Sequence, residues 1–443
     1  MLRLTAEQVL ALAPDGAAAA AGRKLGAATP WRDLGCNDAA LWGECQGSAL
    51  YQVRVDLADL AVKCSCPSRK VPCKHSLGLL LLAATTPGAF AGSEPPEWVS
   101  DWLARRASNA ARREAAPAKS APDAQVAKPA AKARQADRRL ARVTAGLDAL
   151  DLWLHDLLRT GLASVEMQPA SFWEQQAARL VDAQAPGVAA RVRQLATIPN
   201  SAPDWPARLL DRLGRLALLL AAFRQLDDLP ADLREDVRGA IGWTLNQEEV
   251  IARGETVTGE WLVLGQRVTE EDRLRAQRTW LASAHDGRPA LIMQYAIGSA
   301  PFPNMLLPGT RLSADLTYWP GAAPQRALVR QRHGGPEPIK APLPGAPNLA
   351  ALLDQVAAAT ARQPWLDRFL GVLNAVLPAR TESGWFVHDH TGNVLPLAAG
   401  DHWRLLALSG GQPVDLAAEW DGETLAPLGV LADSAYFPLT EAG

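Results

Sequence analysis

Hydrophobic and polar positions alternate near the start of the chain, and this pattern predicts a small antiparallel sheet followed by a helix. Every second residue from 51 to 57 is apolar, so one face of this strand is expected to be buried. A second strand is predicted over 41–46, with a Gly-Ser turn joining the two. Residues 75–84 are apolar on nearly all sides, which indicates a fully buried helix. The pattern therefore predicts a ββα-like unit.

Shorter helical signals flank this unit. Thr5 and Gln8 form a capping box ahead of one short helix, and Asp15 can cap a second, alanine-rich helix. After the apolar run, Trp98 and Trp102 lie one helical turn apart and therefore share a face. We expect all of these elements to belong to one N-terminal domain.

From about residue 138 the apolar residues recur every three or four positions, which is typical of amphipathic helices. Segments with this period, separated by Pro or Gly, cover 140–158, 172–181, 189–195, 207–226 and 233–244. We therefore predict a bundle of four or five helices.

The pattern after residue 255 is typical of β-strands. We predict strands at 260–268, 290–297, 311–318, 326–330, 385–387, 403–408, 414–420 and 425–431. One helix is predicted across Thr279, and a long amphipathic helix from Asn348 to Leu377 is expected to break near Pro364. This part is therefore predicted to be an α+β domain.

Composition and charge mark the boundaries between these parts. Between 107 and 137 there is no aromatic residue, and Ala, Pro, Lys and Arg dominate, which predicts a basic linker. Residues 104–142 carry a net charge of +8, and the rest of the chain carries −10. The net charge of all 443 residues is therefore −2, which argues against a general nucleic-acid binder. We predict a multidomain α+β protein, because a chain of this length exceeds what a single hydrophobic core usually supports. The predicted parts are the finger-containing domain at 1–106, the linker at 107–137, the helical domain at 138–250 and the α+β domain at 251–443.

Three of the five cysteines fall within ten positions, and a histidine follows two residues after the last of them. Cys64 and Cys66 are two residues apart, so on an extended chain both thiolates point to the same side. A turn then returns the chain to Cys73 and His75, where the apolar helix begins. Three thiolates and one imidazole make a closed tetrahedral set, so we predict a structural Zn²⁺ site that does not activate water. The alternative is three buried thiols beside a surface histidine.

This arrangement, Cys-x-Cys, six residues, then Cys-x-His between a strand and an apolar helix, resembles the SWIM-type zinc finger. The flanks are also similar to bacterial SWIM proteins, since 41–48 reads LWGECQGS and 64–70 reads CSCPSRK. The resemblance covers about 31–106, with the finger itself at about 51–84, and we assign no named fold to the rest. The zinc ligands that it implies are Cys64, Cys66, Cys73 and His75.

The resemblance also implies a binding role, because SWIM fingers are regarded as DNA-binding or protein-interaction modules. Bacterial relatives often occur beside MoxR-like ATPase and von Willebrand A-like genes. This implies an adaptor role in a chaperone-like or assembly complex.

Other residues with reactive or metal-binding side chains are interpreted as structural. Cys36 and Cys45 are expected to be packed thiols rather than further ligands. His388 and His390 flank Asp389 with a spacing that suits a metal, but a third ligand is missing. No Walker A loop, dinucleotide-binding glycine motif, nucleophile elbow or zincin helix is present, so no small-molecule cofactor is recognised.

We therefore expect a zinc-binding, non-enzymatic interaction protein of the cytoplasm. No secretory signal is visible, and no apolar segment is long enough to cross a membrane. A protein partner is favoured because the chain outside the linker is acidic, and DNA held by basic side chains and the linker is the alternative. The predicted partner-binding patch comprises Arg54, Arg69, Lys70 and Lys74.

A third hypothesis is an enzyme with its active site in the 251–443 domain and the finger as a targeting device. The candidate carboxylates are those of Asp389, Asp401 and Asp415, which would have to cluster with His388 or His402.

Overall fold

The computed structural model describes residues 4–115, 129–271, 274–298 and 300–439. This part of the chain forms an N-terminal α/β unit, a helical unit and a C-terminal β-rich unit with two helices. The predicted multidomain α+β class is confirmed.

The N-terminal domain is a five-stranded sheet covered by helices. Its elements are α1 (Ala6–Leu10), α2 (Gly16–Lys24), β1 (Trp31–Cys36), β2 (Ala40–Gln46), β3 (Leu50–Asp56), β4 (Val62–Cys64), α3 (Lys74–Thr85), β5 (Ala91–Gly92) and α4 (Glu97–Ala115). The strand order is β4-β3-β2-β1-β5, and the three consecutive pairs from β1 to β4 are antiparallel. Both predicted N-caps are present: Thr5 and Gln8 form the capping box of α1, and Asp15 caps α2.

The core of this domain lies between the sheet and α3. Nine consecutive residues of α3, His75 to Ala83, are buried, as its unbroken apolar run predicts. Leu79 to Ala83 share a core with Val53 and Val55 of β3, which point inward from alternate positions. The strand β1, which supplies Trp31 to the same core, is an addition to the strands predicted from the sequence.

The helical unit contains α5 (Pro129–Thr160), α6 (Ala170–Asp182), α7 (Pro186–Leu195), α8 (Trp205–Arg224), α9 (Ala231–Ile241) and α10 (Gln247–Arg253). Leucines of α5 and α8 and Trp173 of α6 form its core. Helices extend into both ends of the linker predicted over 107–137, because α4 continues to Ala115 and α5 begins at Pro129. The remainder of the predicted linker, 116–128, lies outside the described residues. No helix in the described ranges has the length and apolarity to cross a membrane.

The C-terminal domain is built on two sheets. Its elements are β6 (Thr256–Glu271), β7 (Leu274–Ser283), β8 (Pro289–Ile297), β9 (Thr310–Tyr318), β10 (Arg326–Arg332), β11 (Glu337–Pro338), α11 (Leu349–Arg362), β12 (Phe369–Thr381), β13 (Gly384–His388), β14 (Val394–Pro396), α12 (Trp403–Ser409), β15 (Val414–Trp420), β16 (Leu425–Ala432) and β17 (Ala435–Pro438). The first sheet has the order β10-β8-β7-β6-β9-β11, and β10 also pairs with β9, which closes β6 to β10 into a ring. The second has the order β14-β13-β12-β15-β16-β17, with α11 and α12 against it.

Three local predictions in this domain are wrong. The predicted helix across Thr279 is the strand β7, because pairing with β6 and β8 on both sides outweighs the helix propensity of its Ala, Gln and Arg residues. The helix predicted to run to Leu377 ends at Arg362, and β12 follows Pro364. The predicted strand 403–408 is α12, which ends at Gly410 in a left-handed conformation, φ 55°.

The N-terminal domain packs directly on the C-terminal domain. Leu307, which precedes β9, belongs to the hydrophobic core of the N-terminal domain and is 3% exposed. The side-chain amide of Gln8 donates a buried hydrogen bond of 3.0 Å to the Gly309 carbonyl oxygen. The finger domain is therefore held against the C-terminal domain, because the apolar surface of Leu307 is buried in the core of the N-terminal domain.

Candidate metal centre

Two elements of the N-terminal domain bring the predicted ligands together. β4 ends at Cys64, which is paired opposite Val53 of β3. The pairing extends one residue further, since Ser65 N donates to Gln52 O at 3.0 Å and Ser65 Oγ accepts from Gln52 N at 2.9 Å. The chain bends after Ser65, and the Cys66 N–H donates to Cys64 Sγ at 3.5 Å, which brings the two cysteines to the same side of the loop.

The second pair of ligands lies at the start of α3. Cys73 is the N-cap residue of this helix with an extended backbone, φ −80° and ψ 170°, and His75 is its second residue. The loop between the pairs includes a cis peptide bond before Pro72. Because α3 is anchored in the core along its length, the positions of Cys73 and His75 are fixed by apolar packing.

The four donor atoms have the spacing of a tetrahedral zinc site. The sulfurs of Cys64, Cys66 and Cys73 and a ring nitrogen of His75 all lie within 4.8 Å of one another. Cys64 Sγ is 3.7 Å from His75 Nδ1. A Zn–S bond of about 2.3 Å in a tetrahedron places ligand atoms about 3.8 Å apart. Cys64, Cys66, Cys73 and His75 are therefore positioned to bind a zinc ion, as predicted.

Two of the four predicted ligands are buried, and the other two lie nearer the surface. Cys73 and His75 are 5% and 4% exposed, whereas Cys64 and Cys66 are half-buried. The ring of Tyr51 covers His75, with 4.7 Å between the ring centroids. Four protein donors fill a tetrahedral coordination sphere, so the ion that they hold would stabilise the fold and leave no position for a reacting water.

The three thiols of the centre differ in how readily they lose their protons. A hydrogen bond between Cys64 and Cys73 lowers the pKa of Cys73 and raises the pKa of Cys64. Burial raises the pKa of Cys66. The Ser76 hydroxyl, 3.4 Å from Cys73 Sγ, further favours the Cys73 thiolate. Since zinc binds thiolates, the ion would displace the remaining protons, and its affinity would fall as the pH is lowered.

The four residues of the predicted partner-binding patch have different environments. Arg69 and Lys74 are exposed beside the centre and, among the described residues, form no ion pair. Lys70 is also exposed, and its Nζ lies 2.6 Å from Asp15 Oδ2. Arg54 is half-buried, with its guanidinium 5.2 Å from the ring of Trp98 and 5.7 Å from that of Trp102. Arg54 therefore does not extend the exposed patch, because it stacks inside the domain.

The two remaining cysteines lie apart from the centre. Cys45, in β2, is completely buried in the domain core, where burial raises its pKa. Cys36, in β1, is half-buried against the same core. Both have the environment of packed thiols.

The carboxylates and histidines of the enzyme hypothesis do not converge. Asp389 is buried and accepts from Leu349 N at 2.8 Å and from Thr391 Oγ1 at 2.6 Å, so it fixes the start of α11 and its own turn. These hydrogen bonds lower the pKa of Asp389 to about 2 against the opposing effect of its burial. Asp415 accepts from the backbone at Leu343 and Ala375.

His402 Nε2 lies 2.8 Å from the Ala398 carbonyl oxygen, and Asp401 accepts from Trp403 N at 2.9 Å. Within the described ranges, the Cys64 cluster is the one group of three or more His, Cys, Asp or Glu side chains spaced for a single ion. Among the described residues, His388 and His390 therefore have no third ligand beside them.

Two family models match the chain. The SWIM zinc finger model matches residues 51–84, which include all four donors. The model of the SWIM-associated four-helix bundle domain matches residues 138–241, which run from within α5 to the end of α9. Comparison with curated proteins and with solved structures finds no match. The predicted resemblance to the SWIM zinc finger is thereby confirmed. The match of the helical unit to a SWIM-associated bundle is new, because its leucine periodicity alone did not identify a family.

Proposed function

We propose that this SWIM-type zinc finger protein is a non-enzymatic adaptor that contacts a protein partner through its finger. The closed set of four donors is the observation that carries the proposal. An ion with no free coordination position contributes folding energy, on the order of 10 kcal/mol, and shapes a surface instead of reacting. The finger therefore acts as a rigid recognition element.

The contact surface that we propose is the loop between the two ligand pairs together with the first turn of α3. Arg69 and Lys74 expose their charges there, and the apolar side chain of Val71 is 46% exposed between them. A partner with acidic side chains around an apolar contact would complement this surface. The overall net charge of −2 argues against a surface designed for polyanions in general.

The resemblance of the finger suggests the class of partner. Bacterial SWIM proteins of similar finger sequence often occur beside MoxR-like ATPase and von Willebrand A-like genes. We propose a partner from such a system, and a cytoplasmic location, in which thiolates persist as metal ligands rather than disulfides.

Affinity capture with the tagged full-length chain tests this function. Cys73→Ser removes one ligand and is expected to abolish both stoichiometric zinc, measured by elemental analysis, and capture of the partner. Cys36→Ser is the matched control, because it removes a thiol outside the centre and should retain both. The double variant Arg69→Ala, Lys74→Ala is expected to keep zinc and lose at least tenfold in capture of the partner identified with the wild type.

Capture that survives both Cys73→Ser and the double variant would show that the finger is not the contact. A gel shift with the full-length chain separates the DNA alternative. Binding that is strong at 150 mM salt and falls steeply with added salt would favour DNA over a protein partner.

A further inference from the structure

A large cleft separates the helical unit from the C-terminal domain. Its volume is about 800 Å³, within the range of small-molecule sites, and it lies at a domain interface where such sites are common. α8 and α9 form one wall, and β7 with the loops before β10 and after α11 forms the other. The cleft includes no residue of the metal centre.

Contacts between the two units hold the walls in place. Arg191 of α7 pairs with Asp367 at 2.7 Å, and Arg208 of α8 makes a bidentate pair with Glu423. Trp365 is buried in the core of the helical unit and donates from Nε1 to the Arg215 carbonyl oxygen at 3.1 Å. The cleft is therefore a preformed feature of the fold.

The lining carries more positive than negative charge. Of the described residues, seven arginines and five acidic residues line the cleft. Arg278 and Arg368 are committed to the buried carboxylate of Glu419. Arg212 and Arg326, in contrast, have no carboxylate partner in the described part of the chain. Arg212 only approaches the Asp421 carbonyl oxygen at 3.5 Å, and Arg326 stacks on Trp319 at 4.2 Å.

Hydrogen-bond donors are also in surplus. Three buried N–H donors of the lining have no hydrogen-bond acceptor among the described residues, and they are Trp243 Nε1, Trp319 Nε1 and Arg326 Nε. The one unpaired buried acceptor of the lining is Gln325 Oε1. These N–H groups are enclosed by protein atoms, so the guanidinium groups of Arg212 and Arg326 supply the donors that a ligand rich in oxygen acceptors would meet in the cleft.

We propose that the cleft binds a small phosphorylated ligand with a planar ring system, such as a nucleoside phosphate. Arginine guanidinium groups match phosphate oxygens in charge and geometry, and Arg212 and Arg326 are available for them. The indoles of Trp243 and Trp319, each with an arginine stacked on its ring, supply flat apolar surface for the remainder of the ligand. The carboxylates of Glu235 and Asp236 on α9 bound the site and disfavour an anion on that side.

Calorimetric titration of the full-length, zinc-loaded protein with ADP at 150 mM salt tests this proposal. Arg212→Gln and Arg326→Gln are each expected to weaken ADP binding about tenfold or more. Arg326→Lys should recover part of the loss, because it keeps the charge. Arg179→Gln makes the same change of charge on an exposed part of α6 outside the lining, and should bind ADP like the wild type.

Two further ligands separate the parts of the site. Adenosine is expected to bind at least tenfold more weakly than ADP because it lacks phosphate. Pyrophosphate is expected to bind more weakly than ADP because it leaves the indole surfaces bare. Absence of ADP binding, equal binding by the Arg212 and Arg326 variants, or pyrophosphate binding as tight as ADP would overturn the proposal. Thermal unfolding of each variant establishes that it is folded.

Discussion

Asp236, on α9, is a carboxylate whose surroundings oppose its negative charge. Burial raises its pKa to about 6, and the neighbouring Asp232 and Glu235 act in the same direction. The Ala322 backbone amide, which donates to Asp236 Oδ2 at 2.7 Å, and the charge of Arg362 partly offset these effects. The native state therefore binds this proton more tightly than the unfolded state does, so stability decreases as the pH rises from about 4 to 6.

Replacing Asp236 with Asn removes this titration and retains an oxygen for the Ala322 amide. We expect Asp236→Asn to be more stable than the wild type above pH 6, by up to about 3 kcal/mol, and to lose this advantage below pH 4. Urea unfolding from pH 4 to 8 measures the difference. Asp232→Asn changes the same charge at an exposed position of α9 and should have a smaller effect. A gain in the free energy of unfolding of Asp236→Asn that does not change with pH would contradict this explanation by the titration of Asp236.

One face of α4 packs against the sheet of the N-terminal domain through tryptophan and arginine side chains. Trp98, Trp102 and Arg106 follow each other at intervals of four residues and so lie on one side of the helix. Arg54 of β3 stacks between the two indoles. Arg106 stacks on Trp102 and forms ion pairs with Asp56 and Asp59 at the end of β3. The sequence periodicity predicted the shared face, and the structure adds its partner.

Trp102→Ala removes the indole that both arginines contact. We expect a loss of about 2 kcal/mol from the lost cation–π contacts and apolar burial, and faster hydrogen exchange in the backbone amides of residues 97–108. Arg105→Ala, on the exposed side of the same helix, breaks only a 3.9 Å ion pair with Asp101 and should change stability by less than about 0.5 kcal/mol. Unchanged exchange in Trp102→Ala would mean that other contacts hold α4.

At the scale of the whole molecule, the finger domain is part of a larger assembly of packed domains. Leu307 of the C-terminal domain completes the finger core, and Gln8 binds the Gly309 carbonyl next to it. At Gly335 the two backbones approach so closely that a Cβ would lie 2.5 Å from the Leu57 carbonyl oxygen. The surface that the finger presents to a partner is therefore oriented by the C-terminal domain.

Leu307→Asp introduces a charge into this shared core. We expect the finger domain to separate from the C-terminal domain, because an unpaired buried carboxylate is unfavourable. Small-angle X-ray scattering should show a larger radius of gyration, while one zinc per chain is retained. Ile297→Asp, at a position 70% exposed on the same domain, is the control. An unchanged radius in Leu307→Asp would contradict the shared core.

Local patterns predicted those parts of the protein that short-range geometry controls. The capping box of Thr5 and the alternation along β3 depend on residues within a few positions of each other. The same holds for the metal centre, since Cys64 and His75 lie within a span of twelve residues and residue type specifies the metal. The strand at Thr279 was missed because its local composition favours a helix, and its partners lie elsewhere in the chain.

The amino-acid sequence by itself determined the zinc ligands, the class of each domain and the amphipathic face of α4, because each depends on the spacing of neighbouring residues. The tertiary structure alone decided that Arg54 lies between two indoles, that Leu307 completes the finger core and that Arg212 and Arg326 face the same cleft. These contacts join residues far apart in the chain. They form only when many weak interactions together offset the entropy of closing long loops, and no local pattern encodes that sum.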